Sequence, residues 1–232
     1  MKAGIPAALF LTGLFVCAAP STAQNAPLSQ KVQQVKQMIA ANQQQLSHYT
    51  WQTQETISVR GDVKEQNVYQ VQLGPDGQQI RTLIARPVAP SSGGRQRGII
   101  HRIKEDYKTY AQQVGALAKS YSPLNPAKIQ QLYARGAVTV KPAGTPGYSS
   151  ILISNYLKQG DAVVLTLRNN PKALTSIDVS SYLDQPSNGV TMQVRFASLP
   201  DGTRYASTVT VNGQSKNLTI VARSTNFTPR TR

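Results

Sequence analysis

Residues 190–213 read VTMQVRFASLPDGTRYASTVTVNG, and this stretch decides the fold. Val190, Met192, Val194 and Phe196 alternate with Thr191, Gln193 and Arg195. A period of two puts the first set on one face of a strand and the second set on the other. Pro200-Asp201-Gly202 breaks the run with turn residues, Asp for a local side-chain bond and Gly for a positive φ. Alternation resumes over Thr203 to Val211, and Asn212-Gly213 signals another turn. One apolar and one wet face, joined by tight turns, is the pattern of an antiparallel sheet.

The same pattern continues in both directions. Towards the C-terminus a strand is expected over Lys216 to Ala222. Upstream, strands are expected over Ala137 to Lys141, Tyr148 to Ser154, Asp161 to Arg168 and Leu174 to Leu183. Gly- and Pro-containing turns separate them. Further upstream, Tyr49, Trp51, Thr53, Glu55, Ile57 and Val59 occupy one face of a strand. Gly61-Asp62 turns the chain. Val63 to Leu73 returns with Val63, Tyr69, Val71 and Leu73 on one side. Gly74-Pro75-Asp76-Gly77 turns it again into Gln78 to Arg86. So many short strands with tight turns predict a strongly curved antiparallel sheet, an unclosed β-barrel.

Helical periodicity appears in two places. Over 28–47, Leu28, Val32, Val35, Met38, Ile39 and Leu46 form one apolar stripe, interrupted only by Asn42. Over 98–135, Ile99, Ile100, Ile103, Tyr107, Tyr110, Val114 and Leu117 form a second stripe. Pro123 ends it, and Asn125-Pro126 caps and opens a short helix carrying Ile129, Leu132 and Tyr133, closed by Gly136. The loop at 87–97 is not a domain linker, because neither flank can bury its apolar face alone. The expected fold class is therefore α+β, a single half-barrel domain over 24–232 with helices on its concave face.

The first 23 residues read as a secretory signal peptide. Lys2 is the positive start, Ala7 to Ala19 is the apolar stretch, and Ser21-Thr22-Ala23 places small residues at a cleavage site. Cys17 raises the alternative of a lipidated N-terminus, but Val16 is bulky where a small residue is wanted. No other stretch is apolar enough to span a membrane. A periplasmic or secreted location is expected.

Composition excludes several function classes. The 232 residues contain 1 Cys and 2 His, too few for a disulfide framework, a thiolate zinc site or a multi-histidine metal centre. No cofactor is expected. A net charge of +15 favours anionic partners, such as lipid head groups or another anionic envelope component. The charges are scattered, with the densest run at Arg95-Gln96-Arg97, His101-Arg102 and Lys104, and no nucleic-acid module accompanies them.

No catalytic motif emerges. There is no Gly-x-Ser-x-Gly, no His-Glu-x-x-His and no phosphate loop. His48 and His101 lack partner motifs. Glu105-Asp106, flanked by Lys104 and Lys108, is a solvated face of a helix. Arg60-Gly61-Asp62 spells an integrin tripeptide but sits where a hairpin must turn. Asn217-Leu218-Thr219 and Asn226-Phe227-Thr228 match a glycosylation pattern that carries little weight in a bacterial-type protein.

The order of elements looks like the periplasmic lipoprotein-carrier fold, the LolA-like unclosed barrel with helices over its concave side. The segments Tyr49-Thr50-Trp51-Gln52, Tyr69-Gln70-Val71, Val194-Arg195-Phe196 and Leu199-Pro200-Asp201-Gly202-Thr203 are also similar to a family of uncharacterised exported bacterial proteins. The first resemblance implies a concavity for acyl chains. Trp51, Tyr69, Val71, Ile103, Tyr107, Tyr110, Val114, Ile129, Leu132 and Tyr133 fall on the expected inner faces and could line it. The same pattern equally suits a filled core. Two readings follow: a non-catalytic carrier or sensor of lipid or lipoprotein acyl chains, or a protein-interaction or envelope-structural module with no small ligand. The oligomeric state is not readable.

Overall fold

The computed structural model describes residues 40–87 and 97–230, together with Gln33 and Gln37; within 97–105 it describes the backbone alone. The expected signal peptide, Cys17, most of the first helical stripe and the Arg95-Gln96 run lie outside the described residues.

Helix α1 covers 40–46 and is also helical at Gln33 and Gln37. Strands β1 (Tyr49–Val59), β2 (Asp62–Leu73) and β3 (Gln79–Ala85) follow, then helices α2 (Arg97–Ser120) and α3 (Pro126–Ala134). The chain ends in β4 (Val138–Pro142), β5 (Tyr148–Ser154), β6 (Ala162–Asn169), β7 (Lys172–Tyr182), β8 (Gly189–Ser198), β9 (Arg204–Gly213) and β10 (Leu218–Pro229).

All ten strands form one sheet in the order β3-β2-β1-β10-β9-β8-β7-β6-β5-β4. Every pairing is antiparallel. Each neighbour is a hairpin neighbour except one: β1 pairs with β10, from Tyr49 opposite Pro229 to Val59 opposite Leu218. β3 and β4 are the two edges, so the sheet is unclosed. The helical insertion runs in sequence from one edge to the other. This is the α+β half-barrel that the alternation predicts.

The apolar face is built by register. Val138 faces Ile153, Ile153 faces Val163, and Val163 faces Val179. Val179 faces Met192, and Met192 faces Val211. These side chains bury together with Tyr110 and Val114 of α2 and with Ile129 and Leu132 of α3. The insertion thus lies on the apolar side of the sheet. α3 starts where its sequence requires. The Asn125 Oδ1 accepts the amides of Ala127 and Lys128 at 2.9 and 3.3 Å, Pro126 opens the first turn, and Gly136 follows at φ 73°.

Four local expectations are corrected. The first hairpin turns at Arg60-Gly61, both at positive φ, one residue before Gly61-Asp62. Val63 is exposed at 51%, not on the face of Tyr69, Val71 and Leu73. A bulge causes this: Ile57 faces Glu65 while Ser58 faces Val63, which turns the start of β2 over. Gly213 is not a turn residue but the end of β9, and the turn is the 3-10 segment Gln214–Lys216. β10 does not stop at Ala222 but runs on to Pro229 along β1.

Candidate functional site

The ten candidate lining residues do not form one group. Tyr110, Val114, Ile129 and Leu132 are buried in the large cluster between the insertion and β4 to β10, and Tyr107 and Tyr133 pack half-buried against it. Trp51 and Val71 belong with Leu73 to a second, smaller cluster, with Tyr69, Leu46 and Phe227 packed on it. The side chain of Ile103 lies outside the described residues.

A polar band separates the two clusters. Along the covered face β1 reads Trp51, Thr53, Glu55, Ile57, Val59. Only its ends are apolar. Thr53 faces Tyr69 on β2 and Ser224 on β10, and Glu55 faces Asn67. The Arg81 guanidinium of β3 donates to the Glu55 carboxylate at 3.0 Å and lies 4.1 Å over the Tyr69 ring. Asn67 is 3% exposed; it donates to Glu65 at 2.8 Å and accepts from Arg86 at 3.1 Å. Burial of these groups is tolerable because each has a partner.

The second cluster is shaped by a bulge. Thr50 faces Thr228 and Gln52 faces Thr225, leaving Asn226 and Phe227 opposite Trp51 alone. Asn226 takes a positive φ of 54°, and Phe227 stacks on Trp51 with ring centroids 5.5 Å apart. Tyr205 packs against Phe227 in a tilted pair, with ring centroids 4.3 Å apart. The β9–β10 ladder ends at Thr208 opposite Arg223, so Tyr205 and Phe227 meet beyond the end of that ladder.

Two distant sequence segments join at this end. The Tyr49 hydroxyl donates to Asp201 Oδ2 at 2.6 Å, and the same carboxylate accepts the amide and hydroxyl of Thr203. The bond from Tyr49 holds the Asp201 carboxyl below its ordinary range and raises the tyrosine above its own. Asn42 of α1 donates to the Arg204 carbonyl at 2.7 Å and accepts the Arg204 amide at 2.6 Å. Sequence reasoning missed this junction. Its signals were present only as a turn, an interruption in a helical stripe and a polar tail.

A buried carboxylate ties the insertion to the sheet. Asp161, 2% exposed, accepts the Tyr121 hydroxyl at 2.6 Å and the amides of Tyr156, Leu157 and Lys158. Burial first, and then this bond, raise Tyr121 above the ordinary tyrosine range. Beside the β2–β3 turn, Ser47, His48, Gln72, Leu73, Pro75, Ile80 and Arg230 line an open recess of about 450 Å³. Among the described residues no group of three or more His, Cys, Asp or Glu could hold a metal, and no helix is long and apolar enough to cross a membrane.

Fold and covered face together define an unclosed antiparallel half-barrel roofed by a helical insertion. Among solved structures, the chain is similar to a DUF1329 family protein from Desulfovibrio piger, at 13% identity and a TM-score of 0.38, covering 82% of this chain and 90% of that one. It is also similar to a LolA superfamily protein from Nitrosomonas europaea, at 8% identity and a TM-score of 0.39, covering 81% and 88%. No family model matches the chain, and no curated protein matches it.

Proposed function

We propose that this protein is an exported, non-catalytic envelope protein that binds acyl chains of lipid or lipoprotein on the covered face of its half-barrel. One observation carries the reading: an apolar face spanning β4 to β10 is roofed by α2 and α3, which share no ladder with the sheet. The roof can lift without breaking a strand pairing. A chain entering beneath it gains about 0.8 kcal/mol per buried methylene. Tyr107, Tyr110, Val114, Ile129, Leu132 and Tyr133 would line that path. Trp51, Tyr69 and Val71 lie beyond the polar band and would meet only the far end of a chain. The +15 charge suits an anionic lipid, lipoprotein or other anionic envelope component rather than a role with nucleic acid.

A filled core favours the second reading, an interaction or structural module without a small ligand. Val114 is 0% exposed and Ile129 6%, as core residues are. Mass spectrometry of lipids extracted from protein purified from its native envelope separates the two. Co-purifying acyl lipid supports the carrier; its absence, with no saturable fluorescence response of Trp51 to added fatty acid, supports the module. Intact mass tests export: a mature chain starting at Gln24 is expected, and a diacylated Cys17 would overturn cleavage after Ala23.

A further inference from the structure

The two edges of the sheet are built differently. β4 is five residues long, ends on Lys141-Pro142 and has α3 packed beside it. Lysine, proline and a covering helix are devices that keep an edge strand from pairing with another chain. β3 has none of them. It runs for seven residues without Lys or Pro, and every one of them is exposed. Its one cation, Arg81, is turned back on Glu55. The exposed large apolar side chains among the described residues are Val63, Ile80, Leu83 and Ile84, and three of the four stand on β3. An edge strand presents unpaired N–H and C=O groups along its outer side, and exposed apolar side chains beside them favour the addition of another strand.

Charge singles out the occupant. Residues 49–87 hold four basic and four acidic side chains, so this corner carries none of the +15 that makes other faces of two copies repel. Asp76 lies in the turn before β3 and Arg86 directly follows the strand. Both are exposed, and neither forms an ion pair among the described residues. An antiparallel second copy sets Asp76 of each chain near Arg86 of the other, twice over; a parallel one sets like charges together. We infer that β3 pairs antiparallel with β3 of a second copy of this chain, making one continuous sheet across a two-fold axis. The bulge that leaves Ile84 without an opposite residue on β2 confines regular pairing to Gln79 to Leu83. Because β4 is blunted, the assembly closes at two copies. Pairing at β3 does not need the acyl-chain reading, since the roofed apolar face spans β4 to β10.

The test is analytical ultracentrifugation of the full chain over about 1 μM to 1 mM, on the parent, Ile80→Lys, Asp76→Lys and, as a control, Thr139→Lys. Thr139 is exposed on β4, so the control adds the same lysine charge to the other edge. A monomer–dimer equilibrium is expected, with a dissociation constant roughly tenfold higher in the first two variants and unchanged in the control. Hydrogen exchange of the parent stays informative if a variant fails to fold: β3 amides should gain protection as concentration rises, and β4 amides should not. A parent that stays monomeric overturns the pairing. So does a dimer that Ile80→Lys leaves unchanged, or one whose β3 amides exchange as fast as in the monomer. Protection of β3 already complete in the dilute monomer would mean that a segment of the same chain occupies the edge, and would overturn it as well.

Discussion

Asn42 and Arg204, 162 positions apart, are joined by a two-way amide pair: the Asn42 side chain donates to the Arg204 carbonyl and accepts the Arg204 amide. β9 has lost β10 as a partner at this end, because their ladder stops at Thr208. Asn42 stands in for the missing strand. Replacing it by Leu would make the α1 stripe uniformly apolar and still destabilise the protein, because a part-buried N–H and C=O would lose their partner. A loss of about 1–3 kcal/mol is expected in denaturant unfolding. A stabilised N42L protein would refute the role assigned to this pair.

Trp51 is 3% exposed and stacks on Phe227. Truncation to Ala should cost about 3–5 kcal/mol, as for other large core aromatics. Emission of the folded parent should be of the buried type. Phe227→Ala should shift that emission to the red while leaving the chain folded, since it uncovers one face of the indole.

Asp161 accepts three backbone amides as well as the Tyr121 hydroxyl. Asp161→Ala would strand the three amides, although the Tyr121 hydroxyl keeps Ser181, and should cost roughly 3 kcal/mol or more. Tyr121→Phe removes the hydroxyl's bonds to Asp161 and Ser181 but leaves the three amides paired, and should cost less, about 1–2 kcal/mol. The two can be compared in urea by their unfolding midpoints at constant slope.

Tyr121 also gives a pH dependence. It holds its proton more tightly in the folded state than in the unfolded one. Its contribution is complete below the unfolded value of about 10 and is lost as pH rises towards the folded value. Stability should therefore fall above about pH 10, and less steeply in Tyr121→Phe. Asp201 behaves oppositely. Its lowered carboxyl contributes above the ordinary Asp range, and that contribution is lost as pH falls through the folded value. Tyr49→Phe should flatten the acid limb of the stability profile.

Gly213 is the remaining test of packing. A Cβ there would lie 2.7 Å from the Tyr110 ring. Its φ is −108°, which any residue can adopt, so the constraint is space rather than backbone freedom. Gly213→Ala should displace Tyr110, break its 3.0 Å bond to Asn188 and lower the melting temperature. Tyr110→Leu in the same background should restore part of that loss.

The period-two alternation of Val190 to Phe196, the turn at Asp201-Gly202 and the cap at Asn125-Pro126 are local signals, and they determined strands, turns, helices and fold class. Burial of one face follows from alternation alone, because a strand has only two sides. Non-local facts escaped. Val63 follows the alternation on paper, but a bulge sets its side. β10 beyond Ala222 is polar and carries no strand signal; it is a strand because β1 lies beside it. Asn42 looks like a flaw in a stripe until the free end of β9 is in place. The polar band of Glu55, Asn67 and Arg81, which divides the covered face, comes from three strands in register. Periodicity reports which side of an element is dry, and pairing across the chain decides what each dry side meets.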